Sequence, residues 1–361
     1  MNMFEDIEIA IVAPFPSRKR VKEGWMSRIG TVDEIIKQRA RLYIHISQNN
    51  SPEASFSKVE ENAWEICISP GSPDYKGVLD SIYESVNTVY IHTIHLAEFI
   101  VPWLDSGKCI VDFHGIVPEE EVMLGRPELV GKYEAIEQEV LRKAKACVMV
   151  TRAMQKHYRE KYPLINPKVI VLPIVEEMHF PANVGDPKGE SELPVRVVYA
   201  GGIQVWQNVD AMLELAAVAH GVADFQFLSQ DWKAIEKDAK KKPLPRKPKF
   251  KFCPKENLVQ EYMNHDFGLV LRDDSAVNRV ACPTKLYEYM EIGLIPIVRS
   301  PMLGDFLELG YAYVTENEFE AGFFPDRVSR GMMQKKNKQV VRAMREMFLA
   351  GASDLRSRLD A

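Results

Sequence analysis

Short apolar runs of about five residues recur along the whole chain without a polar residue at every second place, and stretches of helical period lie between them. No other feature limits the fold as much. A strand with one wet face alternates apolar and polar side chains, whereas a strand covered on both faces does not. Such strands alternating with helices build a parallel sheet with helices on each side, a doubly wound α/β domain. IEIAIV (7–12), LYIHI (42–46), WEICI (64–68), TVYI (88–91), CIVDF (109–113), CVMV (147–150) and KVIVLPI (168–174) read as strands. Helical period is clearest over 27–38, 94–104 and 131–146.

The rhythm pauses over 175–193, VEEMHFPANVGDPKGESEL, which is polar, holds Pro and Gly, and reads as a linker. It then restarts. VRVVYAGG (195–202), DFQFLS (224–229), KFKFC (249–253), DFGLVL (266–271), LIPIV (294–298) and YAYV (311–314) form a second strand set, with a helix over 208–220 stopped by Gly221. At 361 residues the chain exceeds what one hydrophobic core usually serves. The expected organisation is a domain over 1–174, the linker, a domain over 194–330, and a helix over 331–361 packing back toward the N-terminal domain. Two such Rossmann-like domains facing a central cleft hold ligands at the carboxyl ends of their strands.

A net charge of −5 argues against a nucleic-acid binder. The five cysteines form no CxxC pair and read as reduced thiols of a cytoplasmic protein. The N-terminus has no basic region of a signal peptide, and no stretch reaches the ~20 apolar residues of a membrane span. Residues 231–251 are dense in Lys and Pro. They read either as a solvated face or as a basic patch for anionic lipid or a phosphorylated acceptor, the latter adding a peripheral contact at the inner membrane face.

The segment CPTKLYEYMEIGLIPIV (282–298) opens a helix with Pro283 and closes it with Gly293 before an apolar strand. Free amides at the helix start and its dipole favour a phosphate. Thr284, Lys285 and Glu288 share one face, with Glu288 placed one turn in to take hydrogen bonds from two vicinal hydroxyls. The competing reading is an exposed Lys285–Glu288 helix pair of a few tenths of a kcal/mol. Arg272 and Arg279 precede this helix start and suit phosphate geometry.

The order of these parts resembles the C-terminal domain of GT-B fold glycosyltransferases, specifically the retaining glycosyltransferase family 4 (glycosyl transferases group 1). That family carries a Glu-x7-Glu motif whose second Glu binds the nucleotide ribose, and Glu288 matches it. The first position falls on Val280, so the usual acidic contact with the donor sugar is missing or comes from another group. In VVYAGGIQVWQNVDAML (197–213) Gly201 matches the turn glycine of the family's diphosphate loop. The loop's basic positions fall on Gly202 and Gln207, both uncharged. The resemblance also implies that backbone near Phe252 and Cys253 meets the base.

In CIVDFHGIVPEEEVM (109–123) His114 matches a His that the family holds near the donor sugar; a structural imidazole is the alternative. The loop APFPSRKRVKEGWMSR (13–28) occupies the place of the family's first glycine-rich loop. Arg18, Lys19, Arg20, Lys22, Trp25 and Arg28, together with Asp112, are the acceptor-side candidates. His92 and His95 stand three apart, but no third metal ligand is evident, and neither half carries an Asp-x-Asp.

The resemblance implies transfer of a sugar from a nucleotide sugar to an acceptor hydroxyl with retention, without metal or other cofactor, in surface polysaccharide or glycolipid assembly. The partners implied are the nucleotide-sugar donor and a glycan or lipid-linked acceptor. Charge developing on the departing diphosphate would be met by the helix start at Pro283 and Thr284, the Gly201–Gly202 turn, and Arg272, Arg279 and Lys285. His114, Arg279 and Lys285 are the catalytic candidates. Three alternatives stay open: a sugar-nucleotide epimerase of the same fold, a pseudo-transferase that binds nucleotide without turnover, and an ordinary two-domain ligand-binding protein.

Overall fold

The apolar runs become the strands of two sheets in the computed structural model, which describes residues 4, 6–17, 24–47, 54–176, 178, 194–219 and 221–360. The chain divides into two units, Met1–Pro173 with Phe348–Ala361, and Ile174–Met347. In the first unit the strands are β1 (Ile9–Val12), β2 (Arg41–Ile46), β3 (Ser55–Glu60), β4 (Ala63–Ile68), β5 (Thr88–His92), β6 (Cys109–Phe113), β7 (Ala146–Met149) and β8 (Val169–Val171). Their order is β3-β4-β2-β1-β5-β6-β7-β8. Every pairing is parallel except β3 with β4. The β1, β5, β6 and β7 residues are all buried, as strands covered on both faces require.

The second unit is β9 (Val195–Ala200), β10 (Ala223–Leu228), β11 (Lys249–Lys251), β12 (Phe267–Val270), β13 (Ile295–Val298) and β14 (Val314–Thr315), ordered β11-β10-β9-β12-β13-β14 and wholly parallel. Counted within the unit this is the 3-2-1-4-5-6 order of a dinucleotide-type sheet, and the strand order reverses between β9 and β12. In the first unit it reverses between β1 and β5. Each reversal opens a crevice at the strands' carboxyl ends.

Strand β3 went unread because its SFSKVE sequence is almost wholly exposed and has no apolar run. Of the expected helix over 94–104, one turn is α-helical (Ile94–Ala97) and Val101–Ser106 is a 3-10 turn, with Pro102 in its opening. Helices at Tyr75–Ser85 and Arg152–Lys161 add to those read from sequence. The last helix begins earlier than expected, at Arg327, and runs to Asp360. Its Ala352, Leu355 and Leu359 are buried in the core of the first unit. The linker over 175–193 lies almost entirely outside the described residues. Among the described residues, no helix is long and apolar enough to cross a membrane.

The basic segment resolves largely into local pairs. Lys241 meets Asp238, Lys242 meets Asp210 and Glu214, Arg246 meets Asp224 and Lys251 meets Glu261. Such exposed pairs favour the solvated-face reading.

Candidate functional site

In the second unit the chain leaves β9 through Gly201 and Gly202. The Tyr199 side chain folds over this turn, its hydroxyl donating to the Gly202 carbonyl at 2.5 Å. A Cβ on Gly201 would stand 2.6 Å from that hydroxyl, so a larger residue there would push the Tyr199 tip off the turn. Across the strand reversal, β12 ends and Arg272 follows. Its guanidinium donates to Gln207 Oε1 at 3.2 Å and to Asn278 Oδ1 at 3.4 Å. Both partners are neutral amides, and among the described residues the buried Nε has no partner. Burial lowers the Arg272 pKa to about 10, which leaves the group charged at neutral pH. Among the described residues this partly buried guanidinium, between the ends of β9 and β12, has no carboxylate beside it, an arrangement that favours an added anion.

Asn278 is held for this task. It is buried, and its amide nitrogen donates to the Asp273 carbonyl at 3.0 Å, which turns Oδ1 toward Arg272. The short helix Ala276–Val280 that carries it starts on a Ser275 cap. The same helix buries Val277 and Val280 and turns Arg279 outward. Arg279 is exposed and makes a bidentate pair with Asp274 at 2.6 and 2.8 Å. The expectation of Arg279 as a free phosphate ligand is therefore corrected: helix periodicity sends it to solvent, and Arg272 holds the inward place.

The helix Thr284–Ile292 begins one residue later than expected, with Pro283 as the residue preceding it. Its closing Gly293 has φ 99°, the left-handed stop that a glycine permits. Glu288 is 1% exposed. It accepts from the Tyr262 hydroxyl at 2.8 Å and from Lys285 at 2.8 and 3.0 Å. The exposed-pair reading thus fails on burial, but Lys285 is no free cation either. Burial pulls its pKa down and the Glu288 carboxylate more than restores it, so Lys285 stays charged and bound to Glu288. Lys285 accordingly gives its charge to Glu288 instead of standing free for a diphosphate. Of the base-side candidates, Phe252 is 51% exposed just beyond β11, and the half-buried Cys253 donates to the Pro254 carbonyl at 3.5 Å.

In the first unit the ends of β5 and β6 bring His92, Asp112 and His114 together. His92 lies opposite Asp112 in the strand register. His92 Nδ1 is 3.1 Å from His114 Nε2, and Asp112 Oδ2 lies 3.7 and 3.6 Å from those two atoms. His114 directly follows the end of β6. Arg28 and Asp112 are both buried, and Arg28 grips the two oxygens of Asp112 at 2.9 and 3.1 Å while donating to the Leu172 carbonyl at 2.9 Å. Tyr90 donates a further hydrogen bond to Asp112 at 2.8 Å. Burial alone would raise the Asp112 pKa, but the Arg28 guanidinium holds it well below the usual carboxylate range. An acceptor role for these two is corrected to an internal ion pair, because breaking a buried pair costs about 3–5 kcal/mol.

The three ligand atoms of His92, Asp112 and His114 lie within 4.8 Å of one another, a spacing a metal ion would accept. A cation there would have to displace the guanidinium already on Asp112. His95, paired with His92 on sequence, instead meets Glu121 at 3.2 Å. Trp25 is 39% exposed on the helix Gly24–Ile36. Arg18, Lys19, Arg20 and Lys22 lie outside the described residues. Sequence reasoning missed Tyr90, Tyr262 and Asn278. The alternation of Tyr90 and His92 on one face of β5 was the available signal for the first. Tyr262 reaches Glu288 across 26 residues and left none; Asn278 is local, six residues from Arg272, and its signal was the Ser275 cap that starts the short helix carrying it.

No family model matches the chain, and no curated protein matches it in sequence. Solved structures do match over its length. A sucrose-phosphate synthase from Thermosynechococcus elongatus superposes with TM-score 0.69 at 11% identity, over 97% of this chain and 98% of that one. A trehalose-6-phosphate structure from E. coli bound with UDP-2-fluoro glucose gives 0.65 at 11%, over 98% and 99%. An α,α-trehalose-phosphate synthase (UDP-forming) from Burkholderia xenovorans, in complex with glucose-6-phosphate, gives 0.63 at 11%, over 98% and 100%. At such identities the likeness defines the fold: two Rossmann-like units of the GT-B glycosyltransferase type.

Proposed function

We propose that the second unit binds the diphosphate of a nucleotide sugar through Arg272, and that the protein transfers the sugar to an acceptor hydroxyl with retention. The observation that carries this is the Arg272 guanidinium at the strand reversal, held by two neutral amides with its Nε unpaired among the described residues. In the reaction the bond from the anomeric carbon to the leaving phosphate oxygen breaks and its electron pair stays on the diphosphate. A preorganised cation lowers the energy of that charge because it needs no rearrangement as the charge develops. Gly201 and Gly202 let the backbone approach the phosphates, and the amides at Thr284 and Lys285, which have no intrahelical acceptor, point the same dipole at them. Glu288 keeps lone-pair capacity on Oε1 for a ribose hydroxyl beside its bonds to Tyr262 and Lys285.

Arg272 here stands in for the loop cations replaced by Gly202 and Gln207. Its hydrogen bond to Gln207 supports that substitution, because the two positions meet in space. The reading needs no metal, since the charge comes from the chain. Finer expectations remain part of the proposal: membership near family 4, an acceptor that is a glycan or lipid-linked sugar, His114 meeting a substrate oxygen, and work at the cytoplasmic side of a membrane. The sugar phosphate bound to the Burkholderia synthase makes glucose-6-phosphate the competing acceptor to assay.

Calorimetry with UDP, GDP, CDP and dTDP tests the proposal. One of them is expected to bind, and Arg272→Gln to weaken it by about 1.5–3 kcal/mol, the scale of a charged hydrogen bond. Glu288→Gln is expected to cost about 1–3 kcal/mol for the nucleoside diphosphate and nothing for inorganic pyrophosphate. Unchanged affinity in the Arg272 variant would remove the diphosphate from this place. Product analysis with and without acceptor then separates a transferase from an epimerase, and absence of both products leaves a pseudo-transferase.

A further inference from the structure

Strands β9 and β12 are neighbours at the reversal, yet they pair over only two positions, Val197 with Phe267 and Val198 with Gly268. Beyond these, β12 runs on to Val270 against β13, and β9 runs on to Ala200 against β10. The two carboxyl ends therefore part just before the Gly201–Gly202 turn and Arg272. Parting leaves backbone groups without a ladder partner, and a buried N–H in that state is costly. Gly201 donates to Leu228 of β10, so the N–H of Ala200, one residue back, faces the β12 side. Ala200 is 1% exposed, and its N–H finds an acceptor outside the sheet, the Tyr289 hydroxyl at 3.0 Å.

Tyr289 belongs to the helix Thr284–Ile292, directly after Glu288, and is fully buried. Its ring lies on Gly268, the last β12 residue that pairs with β9. A Cβ there would stand 2.3, 2.5 and 2.6 Å from three of the ring carbons, so the close approach depends on a glycine. The ring also meets Tyr262 edge-on, with centroids 5.2 Å apart, and Tyr262 in turn donates to Glu288. One side chain thus joins the end of β9, the point where β12 leaves it, and the helix that carries Glu288. Packing alone would account for the ring, which a phenylalanine supplies equally well. It does not account for a hydroxyl placed on the one ladder N–H that the parting strands leave over.

We propose that Tyr289 is a positioning residue. Its ring on Gly268 and its hydroxyl on Ala200 keep β9 and β12 parted and hold the Gly201–Gly202 turn at a fixed distance from Glu288. One nucleoside diphosphate then meets the turn with its phosphates and Glu288 with its ribose, while Tyr289 itself touches no ligand. Two contacts on one ligand reinforce each other only when their spacing matches the ligand, which is what a rigid brace supplies. The inference rests on the proposed nucleotide site for what the spacing serves, but not for the brace itself.

Tyr289→Phe keeps the ring on Gly268 and against Tyr262 but removes the acceptor of the Ala200 N–H. Calorimetry with whichever of UDP, GDP, CDP and dTDP binds is expected to show affinity lower by about fivefold or more, the lower end of a coupling between two contact points. The matching nucleoside, titrated by NMR, meets Glu288 but not the turn and is expected to bind as it does to the wild type. Unchanged affinity for the diphosphate, or equal losses for both ligands, overturns the proposal. Gly268→Ala, whose Cβ displaces the ring, is expected to weaken the diphosphate at least as much; wild-type affinity there would mean that the ring does not set the spacing. Hydrogen exchange gives a reading without ligand. In Tyr289→Phe the Ala200 amide is expected to exchange about tenfold faster or more, because an N–H without its acceptor opens more easily, while the amides of β13 stay at wild-type rates. Unchanged exchange at Ala200 overturns the brace whether or not a nucleotide binds. Should no nucleotide bind and Ala200 exchange faster, the brace stands and the proposed function falls.

Discussion

Four arginines show how little a residue's type says until its partner is known. Arg41 is locked to Asp33 at 2.5 Å and Arg28 to Asp112, both inside the first unit. Arg279 is neutralised at the surface by Asp274, and Arg272 alone of the four meets only amides. The carboxylates show the same divergence. Glu121 meets Arg126 and His95, while its neighbour Glu120 lies against Gly115, where a Cβ would be 1.8 Å from its Oε1. Burial first, then the charge of Glu121, pushes the Glu120 pKa up to about 7. A folded-state value above the unfolded one means that the folded protein holds the proton more tightly. Stability from this group is then full below the unfolded value and is lost as pH rises toward about 7. Glu120→Gln is accordingly expected to leave the urea midpoint unchanged near pH 4 and to raise stability by about 1–3 kcal/mol at pH 8. An equal change at both pH values would mean that the carboxyl is not titrating in this range.

The strands were legible because burial on both faces writes itself as apolar runs, and 109–113 was read to the residue. Strand β3 was not, since an exposed antiparallel edge leaves no such run. Of the site, Gly201 and His114 could be located because each directly follows a strand end, and Glu288 because it lies one turn into a helix whose start and stop are marked by Pro283 and Gly293. The inward choice of Arg272 over Arg279 depends on which face of one short helix is buried, and the Arg28–Asp112 pair joins residues 84 apart in sequence. Element ends are also where strain gathers. Thr93, between β5 and the turn Ile94–Ala97, is a β-branched residue in a backbone region that suits glycine. That strain is worth about 1–3 kcal/mol, against about 0.5–1 kcal/mol for the freedom a glycine must surrender. Thr93→Gly is therefore expected to stabilise the protein by about 1 kcal/mol in urea unfolding. A loss of that size would show that the native contacts of Thr93 outweigh its backbone strain.

One helix belongs to both units. Residues 327–347 of it group with the second unit, where Asn337 brackets Ala312, accepting from its N–H at 2.6 Å and donating to its carbonyl at 2.9 Å, and Arg345 donates to the Tyr287 hydroxyl at 2.9 Å. From Phe348 onward it groups with the first unit, burying Leu355 and Leu359 beside β8 residues. The close approach is made at Gly351, where a Cβ would stand 2.3 Å from the Val171 carbonyl oxygen and 3.2 Å from Leu172. Because the first obstacle is backbone, it cannot rotate aside as a side-chain tip could, so the helix itself would have to lift. Gly351→Ala is then expected to destabilise the first unit by about 1–3 kcal/mol, the usual cost of overpacking, despite the better helix propensity of alanine. Its effect on the second unit is expected to be small, so the nucleoside diphosphate affinity should stay at the wild-type value while the melting of the first unit moves down. Hydrogen exchange read separately over β8 and over β12 distinguishes the two. Faster exchange confined to the β8 side is the expected result, and a stabilised or unchanged β8 would mean that the helix end is not packed against it.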